Sequence, residues 1–124
     1  MNVVDSSGWI EFFKAGSNGL TFKPIIQDEA NLLVPSISLF EVHRVLSRAL
    51  SPGMAQTCLD VMRRGRVLDL TDRRAIAASK AAAQHGLALA DAAIYSMAVE
   101  QGATLWTQDV DYQGLPGVHY CAKP

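Results

Sequence analysis

Val3-Val4-Asp5-Ser6-Ser7-Gly8-Trp9 is the stretch on which the fold turns, because an extended pattern gives way to a helical one across a single acidic residue. Two adjacent β-branched residues read as a short buried strand. Asp5-Ser6-Ser7 then supplies a helix N-cap ahead of the helical spacing of Trp9, Ile10, Phe12 and Phe13. The rest of the chain repeats this alternation. Ser17-Asn18-Gly19 is a turn, Leu20 to Ala30 carries a weaker helical pattern in which Pro24 suits a first turn or a break, and Leu32 to Pro35 is a second strand. Ser36 or Ser38 caps a helix reaching about Leu50, with Leu39, Val42, Val45, Leu46 and Ala49 on one face, and Ser51-Pro52-Gly53 ends it. A helix from Met54 to Arg64 and a strand from Val67 to Leu70 follow. An alanine-rich helix runs from a Thr71-Asp72 cap to a glycine stop at His85-Gly86, and another spans Ala88 to Gln101. Strands at Thr104 to Thr107 and Val118 to Cys121 close the series. Strands separated by helices predict an α/β fold, a parallel sheet with helices on both faces, because parallel strands need crossover connections.

The chain has 124 residues, 49% of them hydrophobic and 19% charged, which is the balance of an ordered globule able to bury a core in one domain spanning 1–124. Cys58 and Cys121 lie far apart with no CxxC or Cys/His spacing, which argues against zinc and against a disulfide-stapled secreted domain. With no apolar run of membrane-spanning length and no charged leader before Val3, the expected setting is the reducing cytoplasm. The net charge of -1 conceals a basic middle: Arg44, Arg48, Arg63, Arg64, Arg66, Arg73, Arg74 and Lys80 lie in a stretch holding only Asp60, Asp69 and Asp72 as acids. These residues read either as solvated helix faces or as contacts for a polyanion.

Four carboxylates stand beside apolar patterns where uncompensated negative charge is costly. Asp5 follows a buried strand directly and is either a helix cap or a group at the mouth of a central strand. At about 100° per residue Glu41 falls just past the edge of its helix's apolar arc, compatible with a pocket rim or with surface pairing to Arg44 or Arg48. Asp91 shares a column with Ile94, Tyr95 and Ala98 in the buried stripe, so something must compensate it, either the free backbone amides of the helix N-terminus around a partly buried cap or a bound group. Asp109 lies in Thr107-Gln108-Asp109-Val110-Asp111-Tyr112, directly after a strand, where it either shapes a turn or enters a pocket beyond the strand ends. In a parallel sheet those strand ends gather the acids together, and several like charges in one pocket call for a divalent cation. Oxygen-only ligands suit magnesium or manganese. His43, His85 and His119 form no ligand spacing, and Trp9, Phe12 and Phe13 read as core rather than as base-stacking surfaces.

The segments Val3-Val4-Asp5-Ser6-Ser7-Gly8-Trp9, Ser38-Leu39-Phe40-Glu41-Val42, Leu89-Ala90-Asp91-Ala92-Ala93-Ile94 and Thr107 to Tyr112, in this order and spacing, resemble the PIN-domain ribonucleases. Within that family the likeness is to the VapC toxins of bacterial type II toxin–antitoxin systems. The resemblance implies a PIN-like fold with a five-stranded parallel sheet and a magnesium or manganese site made by Asp5, Glu41, Asp91 and Asp109. Asp111 is a further candidate ligand, and Ser6 and Thr107 are supporting polar residues. It implies cleavage of RNA, with Arg44, Arg48, Arg63, Arg64, Arg66, Arg73 and Arg74 as candidates for backbone contacts. A homodimer and a separate antitoxin chain are the implied partners. Ile37 and Phe40, outside the main apolar arc of their helix, either pack on a second side or face an interface. Tyr112 stands where many relatives carry phenylalanine, which keeps the aromatic ring.

Two other classes compete. A phosphoryl-transfer, receiver-like domain also begins with an aspartate after a strand, but Asp5-Ser6-Ser7 lacks the second aspartate and no later lysine fits. A noncatalytic RNA- or protein-binding PIN-like module has no physical reason to retain four costly clustered acids.

Overall fold

The computed structural model describes residues 1–124. The strands are β1 (Asn2–Val4), β2 (Leu32–Pro35), β3 (Arg66–Leu68), β4 (Thr104–Thr107) and β5 (Val118–Tyr120). They form one sheet in the order β3-β2-β1-β4-β5, every pairing parallel. The helices are α1 (Ser6–Phe13), α2 (Gly19–Gln27), α3 (Ser36–Ala49), α4 (Pro52–Met62), α5 (Asp72–His85) and α6 (Leu89–Glu100), with 3-10 turns at Glu29–Asn31 and Val110–Tyr112.

Period-two alternation explains why these short apolar runs are central strands. Val3 and Leu33 enter one buried cluster with Ile94, Met97, Leu105 and Tyr112, while Val4, Leu32 and Val34 enter a second with Trp9, Phe22, Val42 and Leu46. β1 and β2 are therefore covered on both faces, α6 lying over the first cluster and α1 to α4 over the second. The chain builds β1, β2 and β3 outward in one direction, then returns to place β4 on the other side of β1. That reversal is a topological switch point, and it opens a crevice beyond the carboxyl ends of β1 and β4.

Several local expectations need correction. Pro24 sits inside α2 rather than at its start or at a break, on an exposed face. Neither Ser36 nor Ser38 caps α3, whose N-cap is Pro35. The Ser36 hydroxyl instead accepts the Leu70 N–H at 3.0 Å and turns the chain out of β3, which is why that strand stops at Leu68. Ser51 and Pro52 begin α4 rather than merely ending α3, Ser51 Oγ accepting the Met54 N–H at 3.1 Å. The buried face of α3 is Ser38, Val42 and Leu46; Val45 and Ala49 are exposed. Ile37 packs against the first cluster, so α3 is covered on two sides there, while Phe40 is exposed. The glycine stop of α5 is as expected, Gly86 adopting φ 66° and donating to Ala82 O. Cys58 and Cys121 are free, and no helix is long and apolar enough to cross a membrane.

Gly8 is where α1 comes closest to β1. A Cβ there would lie 2.7 Å from Val4 Cγ1 and 3.2 Å from Phe22 Cε1, both side chains fully buried. Because Val4 is stiff at χ1, the clash outweighs the better helix propensity of alanine. Gly8→Ala is expected to lower stability by about 1–3 kcal/mol, measured by urea unfolding. A variant as stable as the parent would show that α1 is free to shift away from the strand.

Candidate metal centre

Each acid reaches the crevice from a different element. Asp5 is the first residue beyond β1, held in the sheet by its N–H to Trp106 O at 3.1 Å, and is the N-cap of α1. Oδ1 accepts from Gly8 N at 3.0 Å, and both carboxylate oxygens lie 2.9 Å from the donating Ser7 hydroxyl. Cap and pocket group are thus one residue. Only 2% of Asp5 is exposed, and burial pushes its pKa up to about 6. The Gly8 amide and the hydroxyls of Thr107 and Ser7 pull the other way, and the charge of Asp109 adds to the rise.

Asp91 lies in the first turn of α6 and is half-buried rather than sunk among the buried residues of that helix, which are Ala92 to Tyr95, Met97 and Ala98. Its pKa also rises to about 6, first through burial and then through repulsion from Asp109 and Glu41; the Tyr112 hydroxyl opposes the rise, and Asp111 adds to it. Asp109 caps the 3-10 turn Val110–Tyr112 by accepting the Asp111 N–H at 3.0 Å, while its own N–H donates to Thr107 Oγ1 at 2.9 Å. Thr107 is fully buried at the end of β4. Its hydroxyl therefore sets the direction in which the chain leaves the sheet.

Asp91, Asp109 and Asp111 each place a carboxylate oxygen within 4.8 Å of the other two. Asp5 and Glu41 stand outside that triplet, although Asp5 feels the charge of Asp109 and Asp91 feels that of Glu41. Glu41, half-buried on α3, accepts a 2.7 Å hydrogen bond from Ser6 Oγ and pairs with neither Arg44 nor Arg48. No lysine or arginine is paired to any of the five acids, the one salt bridge in the molecule being Arg74 to Glu100. An all-oxygen donor set with unneutralised charge fits a hard divalent cation, with Asp91, Asp109 and Asp111 as the residues able to hold it.

The basic residues do not form one surface. Arg44 and Arg48 share an open groove of about 530 Å³ with Phe40, Glu41, Val45 and Ala49. Arg63 and Arg64 precede β3 and Arg66 begins it, at the amino end of the sheet opposite the acids, where Arg66 donates to Gln101 at 3.1 Å. Arg74 is occupied by Glu100 and the Asp69 carbonyl, and Arg73 is exposed on α5. His43 and His119 are exposed, His119 stacking on Trp106. Sequence reasoning read Tyr112 only as an aromatic ring: the ring is fully buried, but the hydroxyl donates toward Asp91, at 3.0 Å from the carbonyl and 3.3 Å from Oδ1. Burial and the Asp91 charge both raise the Tyr112 pKa, so it stays a neutral donor. Ser7 and Gly8 were likewise not assigned as the donors that hold Asp5.

The PIN domain family model matches residues 3–117, and the chain belongs to that family. Among solved structures, a chain of a toxin–antitoxin complex from Klebsiella pneumoniae is 18% identical with a TM-score of 0.79, covering 96% of each chain. VapC20 of Mycobacterium tuberculosis, described as a Sarcin-Ricin loop cleaving toxin, is 18% identical with a TM-score of 0.74 over 91% of this chain and 92% of its own. VapBC2 from Rickettsia felis, bound to a DNA fragment from its promoter, gives 19% identity and a TM-score of 0.71 over 98% and 97%. The fold is thus the PIN-like α/β fold, and its structural neighbours include VapC toxins. No curated protein sequence matches the chain.

The two raised carboxyl groups give stability a defined pH dependence. The unfolded chain releases the Asp5 proton near 3.8 and the folded chain near 6, so the folded state holds the extra proton between those values. Its contribution is complete below about pH 3.8 and is lost as pH rises through about 6. For Asp5 a change of this size amounts to roughly 3 kcal/mol. Metal-free protein is expected to be more stable to urea at pH 5 than at pH 7.5, with Asp5→Asn flattening the slope. A parent whose stability rises across this window would contradict the burial assigned to Asp5.

Proposed function

We propose that this chain is a divalent-metal-dependent endoribonuclease and the toxin member of a toxin–antitoxin pair. The observation that carries the reading is the convergence of Asp91, Asp109 and Asp111 oxygens within 4.8 Å, beside Asp5 and Glu41, with no basic side chain paired to them. Membership of the PIN domain family supports it, as does the likeness to VapC20, described as a Sarcin-Ricin loop cleaving toxin.

Asp91, Asp109 and Asp111 would hold magnesium or manganese, with Asp5 and Glu41 completing the negative rim. When bound, such a cation supplies Lewis acidity to a phosphoryl oxygen and eases the ionisation of water. The chain's own contribution is preorganisation. Ser6 fixes the Glu41 carboxylate, Thr107 aims the Asp109 segment, and Ser7 with the Gly8 amide orients Asp5 while leaving it capacity for one more partner. Arg44 and Arg48, in the groove shared with Glu41, are the basic side chains best placed to take phosphates leading away from the acids. Arg63, Arg64, Arg66 and Arg73 could contribute only to a strand that wraps further round the molecule.

Residues 1–124 act as one PIN domain in the cytoplasm, as a homodimer. The structural neighbours solved as toxin–antitoxin complexes support an antitoxin partner, which in our reading docks an apolar segment and delivers a basic side chain to the acidic pocket.

The test is cleavage-site mapping on total RNA with magnesium, manganese or chelator, using the parent, Asp91→Asn and Asp109→Asn. Either substitution should slow cleavage at least about a hundredfold, the scale on which loss of one electrostatic group in a catalytic site is felt, while leaving the fold intact. Chelator should abolish cleavage by the parent. Mutants that cut at the parental rate would refute the site, and RNA binding without cleavage under every divalent metal would make the chain a noncatalytic module.

A further inference from the structure

Two chain segments supply the three clustered oxygens, and nothing about their sequence separation brings them into register. Asp91 stands on the first turn of α6, whereas Asp109 and Asp111 belong to the cap and the body of the 3-10 turn after β4. Like charges with oxygens within 4.8 Å of one another push the two segments apart. One side chain spans the gap. Tyr112 ends the 3-10 turn, its N–H donating to Asp109 O at 3.2 Å, and its hydroxyl reaches across to the Asp91 carbonyl at 3.0 Å and to Asp91 Oδ1 at 3.3 Å. No other hydrogen bond reaches the Asp91 carboxylate.

We infer that Tyr112 is a positioning residue of the acidic centre, its hydroxyl fixing both the first turn of α6 and the rotamer of Asp91 so that the three carboxylates are preorganised for a divalent cation. Packing alone does not account for the residue. Its fully buried ring lies against Tyr95, with centroids 6.4 Å apart, and phenylalanine would fill the same volume. The hydroxyl is the part that touches the site. A neutral phenol is suited to the task, because it restrains a carboxylate without contributing a positive charge that would compete with the metal.

The inference rests on the metal-site reading above, and direct binding of Mn2+, followed by electron paramagnetic resonance of the free ion, separates the two. Tyr112→Phe should fold, as checked by circular dichroism, and bind Mn2+ about tenfold more weakly than the parent. Tyr95→Phe, which removes a hydroxyl bonded to Pro116 O and touching no acid, should leave the affinity unchanged. In an Asp91→Asn background Tyr112→Phe should add no further loss, an outcome that a purely structural role would not produce. RNA cleavage by Tyr112→Phe should need more Mn2+ yet return to the parental rate at saturation. Should Tyr112→Phe fail to fold, carbon-13 labelling of tyrosine Cζ in the parent gives the same information: Mg2+ must move the Tyr112 resonance and leave that of Tyr95 in place. Unchanged affinity in Tyr112→Phe, an equal further loss in Asp91→Asn, or an unmoved Tyr112 resonance overturns the positioning role alone. A parent that binds no Mn2+ overturns the metal site itself.

Discussion

Like-charge repulsion at the switch point is the constraint around which this molecule is organised. Two ionised carboxylates about 5 Å apart at an effective dielectric of 20 repel by about 3 kcal/mol. The structure holds three within 4.8 Å of one another and two more nearby, with no basic residue paired to any of them. A loop of ordinary flexibility would relax by turning those side chains to solvent. Here the positions are enforced from below, because Asp5 extends β1 by a ladder hydrogen bond to Trp106 and Thr107 closes β4 with its side chain fully buried. The sheet's two apolar clusters therefore hold the acids in place as well as holding the fold together.

Much of this was legible in the chain. Val3-Val4 and Leu32 to Pro35 are short β-branched or leucine-rich runs buried on both faces, and the intervening helical spacings leave a parallel sheet as the consistent arrangement. The acids after β1 and β4 could be placed because strand ends in such sheets face one crevice. What could not be read were interactions that ignore local pattern. Ser36 looks like an N-cap, but its hydroxyl is taken by Leu70, 34 residues away, so tertiary geometry overrides propensity. Val45 and Ala49 extend the apolar face of α3 in sequence, but no neighbouring element covers that side of the helix, although Leu46 between them is buried. Pro24 is tolerated mid-helix because the turn that loses its hydrogen bond is exposed to water.

The site divides along the same line. Asp91 could be singled out by its company of Ile94, Tyr95 and Ala98, whereas its partner, the Tyr112 hydroxyl, lies 21 residues further on and has no local signature. Asp111, a further candidate ligand in the sequence, stands where an aspartate also shapes a turn. Its backbone does so, with the N–H bound to Asp109, and that same hydrogen bond leaves its carboxylate beside those of Asp91 and Asp109. Glu41 was assigned to a helix edge from its angle, and the edge is where Ser6 reaches it. Angular position thus located the residue, but only the packing of α1 against α3 identified the donor.

The nature of these donors also explains how a negative pocket can be rigid and still available. Ser6, Ser7, Thr107, Tyr112 and the Gly8 amide are all neutral, and between them they orient Asp5, Glu41, Asp91 and the Asp109 segment. Lysine or arginine in the same places would secure the carboxylates more strongly through charge, yet it would cancel the field that attracts a cation and occupy the same lone pairs. Hydroxyls and amides restrain direction while leaving the net charge almost intact. The remaining cost appears where it is measurable, in the raised pKa values of Asp5 and Asp91, which record negative charge that the protein alone leaves incompletely compensated. A group that binds at this site with positive charge, whether a metal ion or a side chain from another protein, gains what the fold has left unsatisfied.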